Sequence, residues 1–245
     1  MLLDPATLAV VALVALLAAV IGATGGFGTG IILTAALTPL IGVKAVVPVL
    51  AVATVIINMG RFWFYRRHVE RRALGVVLAA AAPFLVVGVW VYSVLDARAL
   101  GTLLGLIILA SVPLRRFLKK REIVLGRRGL AFGGGVFGFA SGVATGTGVI
   151  LISLLLGAGL TGPAVLATDA LITIALDFAK ALLFHRFALL DTPQILTGAV
   201  IGVASIPGSA AGAWLVERMH ARLHVLFMEG LIVFGGSFML WHAWR

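Results

Sequence analysis

The sequence predicts an all-helical, polytopic membrane protein made of two related halves, and three observations carry that reading. Of 245 residues, 62% are hydrophobic and only 11% are charged, whereas a soluble domain carries about 25% charge. Residues 5–43, 73–95, 129–168 and 192–216 contain no Asp, Glu, Lys, Arg or His, and about 20 apolar residues suffice to cross a bilayer. The run Leu8 to Leu17 shows no polar–apolar alternation, so barrel strands, the other architecture that can span lipid, are not encoded there. A mean hydropathy of +1.17 also excludes disorder, a collagen-like fibre and a disulfide-stapled secreted domain. The absence of cysteine excludes thiol chemistry and thiolate metal sites.

Taken in order, the chain opens with Met1-Leu-Leu-Asp4-Pro5. This lacks the basic cluster of a signal peptide, so the first apolar run is expected to be a retained span. As one helix, the 39 residues of 5–43 would extend roughly 58 Å, about twice the hydrocarbon thickness. They must fold back or break, and Gly22-Ala-Thr-Gly-Gly-Phe-Gly-Thr-Gly30, with five glycines in nine residues, shows where. Three further spans are expected near 44–64, 73–94 and 98–114. A basic segment, 115–128, follows. The pattern then recurs: a long stretch 129–168 with Gly133 to Gly135, Gly138, Gly142, Gly146 and Gly148, then spans near 163–184, 192–215 and 221–242. The expected organisation is a first membrane repeat 1–114, a basic cytoplasmic linker 115–128 and a second repeat 129–245, with eight to ten membrane segments in all.

The net charge of +10 is 19 basic minus 9 acidic side chains, and its placement matters more than its size. Residues 61–72 carry five arginines, and residues 115–128 carry Arg115, Arg116, Lys119, Lys120, Arg121, Arg127 and Arg128. Basic loops beside spans mark the cytoplasmic face and meet anionic lipid headgroups. Nucleic-acid binding is therefore not expected.

Comparing the halves suggests one unit used twice. Gly28-Thr-Gly-Ile-Ile-Leu33 matches Gly146-Thr-Gly-Val-Ile-Leu151 at five of six positions. Thr54, Asn58 and Arg61 correspond to Thr173, Asp177 and Lys180, and Pro83, Gly88, Trp90 and Arg98 to Pro207, Gly212, Trp214 and Arg222. The offset grows from 118 through 119 to 124, as small loop insertions would produce. If each opening stretch crosses the membrane twice, the second repeat is inverted. The basic 61–72 loop has a counterpart near 177–191 in which Lys180 and Arg186 are offset by Asp177 and Asp191, and this loss of positive excess favours inversion. Clustered glycines also suit close helix packing. A break at corresponding places in two repeats, however, points to a transporter's binding site.

Charges inside spans are costly and mark function unless they reach the interface. With successive helical residues turned by about 100°, Asp169, Thr173, Asp177 and Lys180 fall within an arc of about 80°, a single polar stripe, and Thr54, Asn58 and Arg61 form a similar face. Asp177 and Lys180, three apart, can pair; the alternative is that both snorkel at the membrane edge. Asp169, near the start of its span, suits the helix dipole. Glu229 is a second-rank candidate within the last span. His68, His185, His220, His224 and His242 lie near span ends without metal-site spacing. Trp63, Trp90, Trp214, Trp241 and Trp244 read mostly as interfacial anchors. The glycine runs are not nucleotide loops, since no Gly-x-x-x-x-Gly-Lys-Ser/Thr is present.

The nine residues Gly22 to Gly30, then Pro39 and Gly42, a second glycine-rich copy at 142–148 and a basic loop after the second segment resemble the TauE/SafE family of sulfite-exporter-like proteins. The resemblance covers essentially the whole chain. It implies export of small sulfur-containing anions, such as sulfite, sulfoacetate or other organosulfonates, across the bacterial inner membrane. No cofactor and no metal are expected. The residues suit an anion. Helix N-termini at a break offer free N–H groups and partial positive charge, so Gly28, Thr29, Gly30, Gly146, Thr147 and Gly148 are the expected substrate contacts, with Thr54, Asn58 and Thr173 beside them. Arg61 and Lys180 would assist electrostatically, and Asp169 or Asp177 would take up a coupling proton. A passive anion channel and a membrane-embedded structural or assembly subunit are the alternatives. An enzyme is not expected, because no acid, base and nucleophile fall within reach of one another. Homo-oligomerisation, the anion, the direction and the coupling ion stay open.

Overall fold

The computed structural model describes residues 4–22, 28–120, 125–216 and 221–244. Among them it holds ten α-helices, one 3-10 turn and no strand. The helices are α1 Pro5–Gly22, α2 Gly28–Ile41, α3 Val43–Tyr65, α4 Arg71–Val94, α5 Ala97–Lys120, α6 Arg127–Val143, α7 Gly148–Gly157, α8 Pro163–Arg186, α9 Thr192–Val216 and α10 Ala221–Trp244. The 3-10 turn, Arg66–His68, follows α3. Val43–His68, Arg71–Val94 and Thr192–Gly212 are long and apolar enough to cross a membrane. Pro5–Ile21, Thr29–Ile41, Ala97–Ala110, Gly148–Gly157 and Ile232–Trp241 are shorter apolar helices.

The spans expected from hydropathy coincide with helices, with two refinements. Helix α5 continues through Arg115 to Lys120, so residues 115–120 of the basic linker are helical. The second glycine cluster is not one long break, because Gly133, Gly134, Gly135, Gly138 and Gly142 lie within continuous α6. The chain leaves helical geometry only at 144–147. Gly146 has φ of 78°, a left-handed conformation that costs a residue with a Cβ and suits glycine. By the offset of 118 the first-half counterparts are residues 26–29: 26 and 27 lie outside the described residues, which leave out 23–27, and Gly28 and Thr29 begin α2.

The second opening stretch folds back on itself. At 1.5 Å per residue, α6 and α7 are about 25 and 15 Å long. The Leu125 backbone N–H donates to the Gly157 carbonyl at 2.7 Å, which returns the end of α7 to the level where α6 begins. Helices α6 and α7 are thus two arms of a hairpin bent at the Thr145–Thr147 turn.

Helix pairing follows a regular rule. The tightly packed pairs between the halves are α4 with α6, α1 with α9, α3 with α8, α5 with α10, α3 with α9, and α4 with α8, and within the first half α1 packs on α2. Exchanging α1 to α5 with α6 to α10 in order turns α4–α6 into α9–α1 and α3–α9 into α8–α4. It leaves α3–α8 and α5–α10 unchanged. Helices α3 and α8 run antiparallel, since Arg61 meets Asp169 while Thr54, two turns earlier, meets Asp177, two turns later.

Small residues let backbones approach where lipid offers no hydrophobic drive between helices. Along α6, Gly134, Gly138 and Gly142 lie against Val77, Ala81 and Leu85 of α4; a Cβ on Gly138 would sit 2.2 Å from the Ala81 carbonyl oxygen. Side chains buried around these contacts form two apolar clusters. One includes Val11, Leu33, Leu50, Leu104 and Ile232, the other Val77, Phe137, Leu151 and Ile172. Leu13, Leu17, Val87, Phe132 and Val203 are exposed on the outside, as expected of a bundle whose solvent is lipid.

Candidate functional site: a polar seam joined to the helix break

The antiparallel α3–α8 pair holds four charged side chains inside the apolar bundle. Asp169, Asp177 and Lys180 are buried, and Arg61 is half-buried. Their spacing on α8 puts them on one face, and that face meets the equivalent face of α3. An Arg61 Nη2 hydrogen donates to Asp169 Oδ2 in a salt bridge. Asp169 Oδ1 is buried and, among the described residues, has no hydrogen-bond partner. Asp177 is engaged on both oxygens: Lys180 Nζ lies 2.6 Å from Oδ1, and the Thr54 hydroxyl donates to Oδ2. Asn58 Nδ2 donates to the Thr54 carbonyl at 2.9 Å, and Thr173 lies half-buried on the same α8 face.

Lys180 ties this seam to the break. It is 1% exposed, so it does not snorkel, and its ammonium also donates to the Ser141 carbonyl at 3.1 Å. Ser141 is in the last turn of α6, where carbonyls lack intrahelical partners and the helix dipole is negative. A buried cation there satisfies both a helix end and a carboxylate, which is what makes its burial tolerable.

Beyond Ser141 the two glycine–threonine motifs touch. A Cβ on Gly30 would lie 2.9 Å from the Gly146 nitrogen, and one on Gly146 would lie 2.9 Å from the Ile31 nitrogen. The first turn of α2 is therefore packed against the turn that opens α7. Thr34 and Thr145 share a hydrogen bond across the contact, and the Thr34 hydroxyl also reaches the Gly30 carbonyl at 2.7 Å. Thr147, the residue before α7, is buried and makes no side-chain capping bond. Gly28 and Thr29 lie in the first turn of α2, and Gly148 opens α7.

The structure thus brings Arg61 to Asp169, Thr54 to Asp177 to Lys180, and Gly30 to Gly146. Ser141, Thr34 and Thr145 also join the polar path. Thr145 borders the glycine motif and Thr34 follows Gly30 by one turn, so their positions were visible in the sequence. Ser141 contributes through its carbonyl, which no residue pattern announces. Among the described residues no group of three His, Asp or Glu could hold a metal ion. Trp63, Trp90, Trp214, Trp241 and Trp244 are all exposed on the outer surface.

An apolar helical bundle that keeps paired charges along an internal seam, next to a broken helix, is the arrangement that membrane transporters use. Comparison with known families places it further: the chain matches the Sulfite exporter TauE/SafE family over residues 11–239, and it belongs to that family. At family level this is a transporter of sulfur anions. No curated relative and no solved structure matches the chain.

Proposed function

We propose that the protein exports a small sulfur-containing anion, such as sulfite, sulfoacetate or another organosulfonate, across the bacterial inner membrane, coupled to protons. The observation that carries this reading is the contact between Gly30 and Gly146. It places the N-terminal turns of α2 and α7 together, and two such turns offer backbone N–H groups and partial positive charge to a shared oxyanion. Gly28, Thr29, Gly30, Gly146, Thr147 and Gly148 form this cradle, with Thr54, Asn58 and Thr173 lining the seam that leads to it. The motifs are in van der Waals contact, so the conformer described is closed at the cradle and the anion enters when the motifs part.

An inverted second repeat would permit alternating access. The antiparallel run of α3 and α8, and helix pairing that survives exchange of the halves, are what two inverted repeats produce. Rocking one repeat against the other would open the Gly30–Gly146 contact to each side in turn. Asp169 is the group we assign to the proton, because Oδ1 has an open acceptor position whereas both oxygens of Asp177 are engaged. Protonation would release Arg61 from its salt bridge and free a cation for the passing anion.

Sulfite flux in proteoliposomes tests the proposal. An imposed pH gradient is expected to accelerate flux in the parent protein, and Asp169→Asn is expected to remove the acceleration. Flux indifferent to the gradient in the parent would make the protein a passive channel. Gradient-driven flux that persists when Asp169 and Asp177 are both replaced by asparagine would refute the coupling role.

A further inference from the structure

Where α3 ends, a groove of about 510 Å³ opens between the last turn of α3, the 3-10 turn, the start of α4 and α8. Its lining is of two kinds. Arg66, Arg67 and Arg71 supply positive charge, while Phe62, Val69, Leu74 and Leu171 supply apolar surface. The three arginines are exposed, and among the described residues none is paired with a carboxylate. Arg66 donates to the Trp63 carbonyl at 3.1 Å and lies over the Trp63 ring at 3.9 Å. The single acid of the loop, Glu70, accepts from the Arg72 backbone N–H at 3.2 Å and caps α4. The groove therefore keeps its positive charge uncompensated.

We propose that this groove binds an anionic phospholipid, with the headgroup phosphate among Arg66, Arg67 and Arg71 and the glycerol–acyl region against Phe62, Leu74 and Leu171. A small free oxyanion shares the phosphate chemistry, but it would leave the apolar half of the groove unused. A lipid uses both halves. The setting agrees: Trp63 and Phe64, on the last turn of α3, are 66% and 83% exposed, as aromatic residues are at the headgroup level of a bilayer. Guanidinium groups suit phosphate through paired N–H donors, and 510 Å³ lies within the range of small-molecule sites.

Native mass spectrometry of the purified full chain, titrated with phosphatidylglycerol and with phosphatidylcholine of matched acyl chains, tests this. A first phosphatidylglycerol is expected to bind more tightly than phosphatidylcholine, and Arg67→Gln/Arg71→Gln to weaken it by about thirtyfold, the effect of two interfacial cations. Arg127→Gln/Arg128→Gln removes equal charge outside the groove and should retain the preference. Leu74→Glu keeps every arginine but adds a repelling charge, and should lose it. Equal weakening by both double variants would mean a diffuse surface potential and overturn the site. So would equal binding of the two lipids by the parent, or displacement of the lipid by millimolar sulfite.

Discussion

Lys180 shows how one side chain can hold a membrane protein's interior together. Its ammonium contacts Asp177 at 2.6 Å and the Ser141 carbonyl at 3.1 Å, so it joins α8 to the end of α6. Removing one partner of a buried pair leaves the other charge uncompensated and costs about 3–5 kcal/mol, whereas removing both is often nearly neutral. Lys180→Met is therefore expected to lower the thermal unfolding temperature in detergent markedly, and Asp177→Asn/Lys180→Met to recover most of the loss. A double variant as unstable as the sum of the singles would show that the two residues do not act as a pair. The 169, 173, 177, 180 spacing places these side chains on one face from sequence alone. Their partners on α3 lie 108 and 123 residues away, and no local pattern specifies which distant helix supplies them.

Among the helices, glycine has two separable uses. Gly146 turns the chain at a positive φ, while Gly138 and Gly142 admit α4 against α6 with no room for a side chain. Gly75, within α4, has open space where a methyl group would project. Gly138→Leu is expected to lose folded protein, read as aggregation in detergent gel filtration. Gly75→Ala is expected to be neutral or to gain up to about 1 kcal/mol from helix propensity. Equal tolerance at both positions would remove the packing role. Clustered glycines were legible in the sequence as a single kind of feature. Their division into packing and turning positions was not, because it depends on the neighbour that each Cα meets.

Across the whole molecule, the question is whether the contact between the two motifs must open. The chain has no cysteine, so introduced thiols act without background. Thr34 and Thr145 face each other across the contact, and Thr34→Cys/Thr145→Cys places two thiols there. Oxidation of this variant in proteoliposomes is expected to reduce sulfite flux to that of empty vesicles, and a reductant to restore it, with each single variant unaffected by either treatment. Undiminished flux through the cross-linked protein would mean that the motifs stay together during transport.

Composition and charge-free length were enough to specify an all-helical membrane protein, because lipid leaves backbone groups no partner outside the helix and makes each charge conspicuous. The positions of most spans followed from the same constraint. Which faces meet did not. Hydropathy is a property of each segment alone, whereas the Arg61–Asp169 pair, the Lys180 bridge to Ser141 and the Gly30–Gly146 contact exist only once antiparallel helices from the two halves pack. Those contacts depend on direction and register between segments far apart in the chain, and nothing in a single segment encodes them.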